Sequence, residues 1–399
     1  MTSRQPVKTP EIRFASWAKA IRRSALQDML VIASSPEILS FALGLPAVEL
    51  FPIDACVEAA GRALRADSRA LQYGPPFRPL KTHITELMAQ RGVECEESQV
   101  FLTAGAQQGM SLLARLLLEP GGQALYEEMS YTGFQQVIEP FSPRSLTVPT
   151  DLESGMDIDV VERLLTRGEQ PAFIYSVTDG HNPLAVSLSA QKRARLVEMA
   201  RRYRVPIIED DAYGFLCYEE DPLPPMRALD EDWVFYVGSF SKVLAPAFRV
   251  GWLVVPESII PKLSIIKESA DIDTATAAQR TISAYIDSGG LSDHLAMLRG
   301  EYRTRRDTML EALETHFSGK ARWRKPRGGV FIWVEFEEEV DTEQLLRRAV
   351  KEERVAFIPG HAFSSLGDRR AANCMRLNFS NCAPELIKTG IARLARIFE

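Results

Sequence analysis

Between about residues 100 and 255 the chain alternates short apolar runs with segments of helical periodicity, and no other feature narrows the accessible folds so far. The strand candidates are Val100–Thr103, Gln123–Glu127, Ser145–Pro149, Ala172–Ser176, Pro206–Glu209, Val234–Gly238 and Gly251–Val255. Several are continuous apolar runs rather than alternating ones, the pattern of strands covered on both faces. Between them, Met110, Leu113, Leu116 and Leu117 recur at helical spacing, as do Leu196, Ala200 and Tyr203. Strands alternating with helices predict an α/β fold: a mainly parallel sheet with helices on both faces.

After about residue 260 the pattern changes. A mostly helical stretch, Thr274 to His316, breaks at Ser288-Gly289-Gly290. Strand Gly329–Glu335, helix Thr342 to Glu353, strands Val355–Ile358 and Met375–Phe379, and a closing helix from Pro384 make a smaller α+β unit. A chain of 399 residues is too long for one ordinary core, which agrees with two units. The expected division is 1–45 as an N-terminal segment without a strand pattern, packing with the smaller unit; 46–295 as the large domain; and 296–399 as the small one.

A formal charge of −6 gives no electrostatic reason to expect nucleic acid or an anionic membrane as partner. No apolar run approaches the roughly 18 residues that span a bilayer. The first residues are polar and basic without an apolar core, so no secretory signal is expected, and Glu11 and Asp28 argue against a transit peptide. The cysteines, Cys56, Cys95, Cys217, Cys374 and Cys382, are odd in number and scattered, which suits reduced thiols in a cytoplasmic protein. The histidines show no ligand spacing, so no metal site is expected.

Three segments carry chemistry. In Gly238-Ser239-Phe240-Ser241-Lys242 a strand runs into two hydroxyls and an amine, and Arg249 follows seven residues after the lysine. Ligands of α/β sheets bind where strands end at their carboxyl edge. Hydroxyls and a guanidinium there suit a phosphate, and neighbouring cations lower a lysine's pKa toward nucleophilicity. A lone Ser-x-Ser-Lys reads better as an exposed polar turn; with the rest of the chain it does not. In Ile207-Ile208-Glu209-Asp210-Asp211-Ala212-Tyr213 an apolar strand delivers carboxylates to the same edge, where one can keep a pyridine nitrogen protonated. Helix capping or a salt bridge accounts equally for one of the two aspartates. In Thr103-Ala104-Gly105-Ala106-Gln107-Gln108-Gly109 small residues join a strand to a helix start, a geometry that accepts phosphate.

Taken in order, these segments resemble the fold type I pyridoxal-phosphate enzymes, specifically class I/II aminotransferases of the kynurenine/2-aminoadipate branch, over nearly the whole chain. That resemblance implies a seven-stranded large domain, a smaller α+β domain and pyridoxal 5'-phosphate as cofactor. Further matches are Leu43-Gly44-Leu45-Pro46, Gln72-Tyr73-Gly74, Glu128-Met129-Ser130-Tyr131, His181-Asn182-Pro183, Gly328-Gly329-Val330-Phe331, Pro359-Gly360-His361-Ala362-Phe363 and Met375-Arg376-Leu377-Asn378. It implies that Lys242 holds the cofactor covalently and moves the α-proton, Asp210 meets the pyridine nitrogen, and Tyr131 stacks on the ring. It gives Asn182 and Tyr213 to the ring hydroxyl, and Ala106, Gln107, Ser239, Ser241 and Arg249 to the phosphate. Tyr73 reaches the phosphate of a partner subunit, so a homodimer is implied; Gly44, Asn182 and Arg376 face the substrate, with Arg376 on its α-carboxylate. The implied activity moves an amino group between an L-amino acid and a 2-oxo acid by a ping-pong mechanism.

Two departures stand out. The family's usual Asn-Pro-Thr-Gly is Asn182-Pro183-Leu184-Ala185, which with His181 is expected near the substrate, and Ala106 stands where a serine is common. The same apparatus supports β-elimination, decarboxylation or cyclisation, since the pocket selects which bond breaks. A non-catalytic cofactor-binding sensor is disfavoured because the pattern begins by Leu43, leaving no room for a winged helix-turn-helix, and because the charge is acidic. A nucleotide-binding protein without pyridoxal chemistry is disfavoured because no GxGxxG or P-loop accompanies a strand.

Overall fold

The computed structural model describes residues 12–20, 35, 37–219, 222–337 and 339–398. Strands β1 (Val100–Thr103), β2 (Gln123–Glu127), β3 (Arg144–Val148), β4 (Ile174–Val177), β5 (Ile207–Asp210), β6 (Val234–Ser239) and β7 (Gly251–Val254) form one sheet. Their spatial order is β1-β7-β6-β5-β4-β2-β3. All neighbours are parallel except β7, which runs antiparallel to both β1 and β6. The reason is length: only residues 240–250 separate β6 from β7, and a parallel return needs a crossover of a dozen residues or more.

The continuous apolar runs are explained by burial on both sides. Tyr175, Ile208 and Phe235 pack with Leu113 and Phe134 on one face. Their neighbours Ile174, Ile207 and Val234 pack with Val161 and Leu196 on the other. Three strands sit one or two residues from their sequence-based positions, and Pro149 and Pro206 fall outside because proline has no N–H for the ladder.

The second sheet contains β8 (Ala321–Trp323), β9 (Phe331–Phe336), β10 (Ile358–Pro359) and β11 (Cys374–Asn378), antiparallel in the order β8-β9-β11-β10. Helices Gly290–Phe317 and Pro384–Ala395 pack on each other and share its core. The helical stretch expected from Thr274 to His316 is two helices, Thr276–Asp287 and Gly290–Phe317, parted by Gly289 at φ +78°. The helix expected over Thr342–Glu353 is α-helical to Arg348 and then widens into a π turn.

The strand expected at Val355–Ile358 divides: Ile358–Pro359 joins β11, while Val355–Ala356 pairs in parallel with Leu39–Ser40. Most of segment 1–45 lies outside the described residues, but the expectation that it lacks a strand fails at Leu39–Ser40. Two residues are too few to make a period, and the pairing partner lies some 300 residues away. Among the described residues no helix is long and apolar enough to cross a membrane, and no His, Cys, Asp and Glu group has the arrangement of a metal site.

Candidate active site

At the carboxyl edge of the large sheet, Val177, Asp210 and Val237 stand in register on β4, β5 and β6. Beyond this edge lies a cavity of about 290 Å³, walled on one side by the large sheet and on the other by Phe331 and Arg376 of the smaller one. The chain after Leu39–Ser40 follows the small sheet, with the Asn378 N–H bonded to Phe41 O (2.8 Å), and so carries Gly44 to the cavity.

Lys242 lines this cavity and donates from Nζ to Gly44 O at 2.6 Å. Burial, reinforced by the Arg376 and Arg249 cations, lowers its pKa from the usual 10.5 to about 8. Its amine is therefore partly neutral near physiological pH, the state that attacks a carbonyl or takes up a proton.

Gly105 begins the next part of the site. Its φ of +94° turns β1 into the helix Ala106–Leu117. A Cβ there would sit 2.6 Å from Arg249 Nη2, so only glycine lets the guanidinium lie against the helix start. Arg249 is held by Ala104 O (2.9 Å) and Ser241 Oγ (3.4 Å). Ser239 Oγ donates to Ser241 Oγ at 3.0 Å. Ala106 and Gln107 open the helix and line the same cavity, and first-turn N–H groups have no intrahelical partner. A guanidinium, two hydroxyls and a helix N-terminus converge here on one anion-sized position.

Of the two adjacent aspartates, Asp210 faces the cavity and Asp211 does not. Asp211 accepts from the Tyr236 hydroxyl (2.9 Å) and pairs with Arg91 (3.3 Å). Asp210 Oδ2 accepts from the Tyr175 hydroxyl at 2.8 Å, while its buried Oδ1 has no hydrogen-bonding partner among the described residues. Burial raises Asp210 to about 6, with Asp211 adding to the shift and Tyr175 opposing it.

Arg376 occupies the far wall. Its guanidinium lies 4.0 Å from the Phe331 ring centroid and 4.7 Å from that of Phe363. It donates to Asn182 Oδ1 (2.5 Å) and Ala42 O (2.6 Å), and Nε has no partner among the described residues. Among the described residues no carboxylate pairs with it, and burial lowers its pKa to about 10. A buried cation without an anion is costly unless a ligand supplies one.

Tyr131 and Tyr213 complete the polar rim. A Cβ at Gly133 would collide with the Tyr131 ring, so this glycine lets the ring fold back over its own helix. Burial pushes both phenols above their usual value. Gln107 donates to Gly133 O at 2.7 Å and leaves Oε1 unpartnered.

All the sequence-selected residues but one therefore line a single cavity: Gly44, Ala106, Gln107, Tyr131, Asn182, Asp210, Tyr213, Ser239, Ser241, Lys242, Arg249 and Arg376. Tyr73 does not line it and is 76% exposed. The expectation for His181 is also corrected. It points behind the cavity wall, with Nε2 3.1 Å from Glu127 Oε2 and Nδ1 accepting from the Leu184 N–H (3.3 Å). Leu184 and Ala185 line a different pocket, beside Trp323 and Trp333.

Residues 36–394 match the family described as aminotransferase class I and II. The chain belongs to that family. Aromatic-amino-acid aminotransferase 1 of Thermococcus litoralis is 35% identical over 98% of this chain and 95% of its own. The α-aminoadipate aminotransferase of Thermus thermophilus, solved with N-(5'-phosphopyridoxyl)-L-leucine, superposes with a TM-score of 0.89 at 35% identity over 96% of each chain. The kynurenine aminotransferase of Pyrococcus horikoshii, solved with PMP, gives 0.90 at 35% identity, again over 96% of each. The protein is thus a pyridoxal-phosphate-dependent aminotransferase of fold type I, moving amino groups between amino acids and 2-oxo acids.

The cavity of this aminotransferase fits that cofactor on its own chemistry. It offers an anion cradle, a carboxylate with a free oxygen and a depressed amine, and Tyr131, Val177 and Ala212 add walls for a flat ring. Sequence reasoning missed Val177, Ala212 and Ile358, whose lining role has no local signal. Phe331 and Phe363 stood inside recognised small-domain segments, but their cap on Arg376 needs both sheets in place.

Proposed function

We propose that Lys242 carries the cofactor of this aminotransferase and shuttles the proton of its reaction. The observation that carries the reading is a single cavity joining an amine lowered to about 8, a carboxylate with an unpartnered oxygen, and a buried guanidinium without a carboxylate. Arg249, Ser239, Ser241 and the N–H groups of Ala106 and Gln107 would hold the phosphate. Asp210 Oδ1 would meet the pyridine nitrogen, Tyr131 the ring face, and Asn182 and Tyr213 the ring hydroxyl. Bound there, pyridoxal phosphate supplies an electron sink for the charge left at the substrate Cα.

The rest falls to the chain. Arg376 grips the α-carboxylate with a planar fork held between two aromatic rings, which fixes the substrate's orientation. Gly44 lets its backbone lie against the Phe331 ring in the cavity wall, where a Cβ would press 2.6 Å from that ring. Lys242 would take the proton from the substrate Cα and deliver it, on the same face, to the cofactor carbon that had carried the aldehyde oxygen, so that one carbon loses the proton the other gains. Lys242→Ala should abolish the protein's visible absorbance and nearly all activity, and borohydride should fix no cofactor on it; normal transamination by this variant would refute the role.

The relatives act on aromatic amino acids, α-aminoadipate and kynurenine by their names, and we assign donors of these classes to this chain. A donor panel with 2-oxoglutarate or pyruvate as acceptor, scored for oxo acid against ammonia, tests both donor and reaction type. We also propose a homodimer, a reading supported by the exposure of Tyr73 and of the apolar residues Ile53, Val57, Leu64 and Leu71, surface that a second copy would cover. Sedimentation of the purified protein as a monomer would contradict it. The division 1–45, 46–295 and 296–399 is retained as a proposal, with helix Gly290–Phe317 continuous across its second boundary. Five free thiols suit a reducing compartment such as the cytoplasm.

A further inference from the structure

One contact of the site has no part in the chemistry assigned so far. Asp210 presents two different oxygens: Oδ1 is buried and unpartnered, and Oδ2 accepts from the Tyr175 hydroxyl at 2.8 Å. Tyr175 stands on β4, the strand next to β5, and does not line the cavity. Its ring lies parallel to that of Phe134, with centroids 3.6 Å apart and planes within 1°. Phe134 is itself packed edge-on by Tyr126 at 5.3 Å and Phe173 at 6.1 Å. The phenol is 2% exposed, so its hydroxyl has no solvent alternative to Asp210.

We propose that Tyr175 is a positioning residue: pinned by Phe134, its hydroxyl fixes Asp210 Oδ2 and so directs Oδ1 to the cofactor's ring nitrogen. This rests on the reading that Asp210 faces that nitrogen. The physical argument has two parts. A carboxylate bonded through one oxygen loses that hydrogen bond when it turns about its Cβ–Cγ bond, so the other oxygen favours a single direction. A hydrogen bond to the ionised form also favours the carboxylate over the acid, and only the carboxylate can hold a proton on a heterocyclic nitrogen. Burial keeps Tyr175 protonated, and hence a donor, throughout the working range. The other groups acting on Asp210 are Asp211 beside it, which opposes its charge, and the Ala212 backbone N–H and His181 on the loop after β4, which support it. Tyr131 and Tyr213 also feel Asp210's charge from across the cavity.

The test compares Tyr175→Phe, Asp210→Asn and the double variant, each as full-length protein loaded with pyridoxal 5'-phosphate. Phenylalanine retains the stacked ring, and thermal melting checks the fold. The readouts are the pH midpoint of the bound cofactor's visible band, its dissociation constant by equilibrium dialysis, and kcat and KM for one donor. A hydrogen bond to a charged group predicts a loss of about 10- to 100-fold in kcat for Tyr175→Phe, with KM within about twofold. It also predicts weaker cofactor retention and a shifted spectral midpoint. In the Asp210→Asn background, adding Tyr175→Phe should change nothing further, because coupled residues are not additive. An unchanged midpoint and dissociation constant in Tyr175→Phe overturns the proposal, as does a full additional loss in the double variant. If Asp210→Asn alone behaves as the unaltered enzyme, the assignment of Asp210 itself has failed.

Discussion

Replacing Arg376 by alanine removes the only guanidinium on the substrate side of the cavity among the described residues. The cation is buried, unpaired with any carboxylate there, and already oriented by Asn182 Oδ1, Ala42 O and two aromatic rings. A substrate carboxylate taking two charge-assisted hydrogen bonds from it gains about 1.5–3 kcal/mol from each. Loss of both is then worth about 3–6 kcal/mol, or about 10²- to 10⁴-fold in kcat/KM. Most of this should fall on KM, because the carboxylate is gripped alike in ground and transition states. Arg376→Lys keeps a point charge without the fork and should recover about tenfold of the loss. Truncation also strips Asn182 Oδ1 and Ala42 O of a donor, at about 1–3 kcal/mol each, so rates must be measured below the onset of melting. The assay is steady-state kinetics with both amino acid and oxo acid varied. If Arg376→Ala is folded and its KM is unchanged for both substrates, the carboxylate role is wrong.

Three further outcomes are expected. In cofactor-free protein, Lys242 binds its proton less tightly folded (about 8) than unfolded (10.5), so its charge opposes folding below pH 8 and the penalty lifts as pH rises toward 10.5. Lys242→Met should therefore be more stable than the parent by about 3 kcal/mol at pH 7 and lose that advantage by pH 10.5, read from urea unfolding at both pH values; a pH-independent difference contradicts the depressed amine. Gly105→Ala places a methyl at φ +94° against Arg249, and beyond about 1–2 kcal/mol of backbone strain it should weaken pyridoxal phosphate binding at least tenfold by dialysis; unaltered affinity would remove the cradle from consideration. Tyr73→Phe should leave the melting temperature within about 2 °C, since the residue is 76% exposed and its hydroxyl makes no bond among the described residues, yet speed cofactor release from the dimer; identical release rates would exclude Tyr73 from the neighbour's site.

Legibility in the sequence followed the range of the interactions involved. The strands were readable because burial on both faces demands apolar side chains at consecutive positions, whatever the neighbours are. The antiparallel run of β7 was not read, although the short link from β6 to β7 that causes it is visible in the chain. The segment Ile207–Tyr213 announced carboxylates at a sheet edge, yet nothing local distinguishes Asp210 from Asp211. The strand's alternation sends one to the cavity and the other to Arg91 and Tyr236. His181 was misjudged for the same reason: adjacency to Asn182 along the chain is not adjacency to the cavity, and Glu127 on another strand claims its imidazole.

From the amino acids alone came the α/β class, the amine, the carboxylate and the turn of small residues before a helix, because each is a property of a short segment and its residue types. Only the folded chain decided that Phe331 and Phe363 flank Arg376, that Tyr175 holds Asp210, and that Gly44 receives the Lys242 amine. Those contacts join residues separated by tens to hundreds of positions, and no local pattern encodes a distance that two sheets must pack together to create.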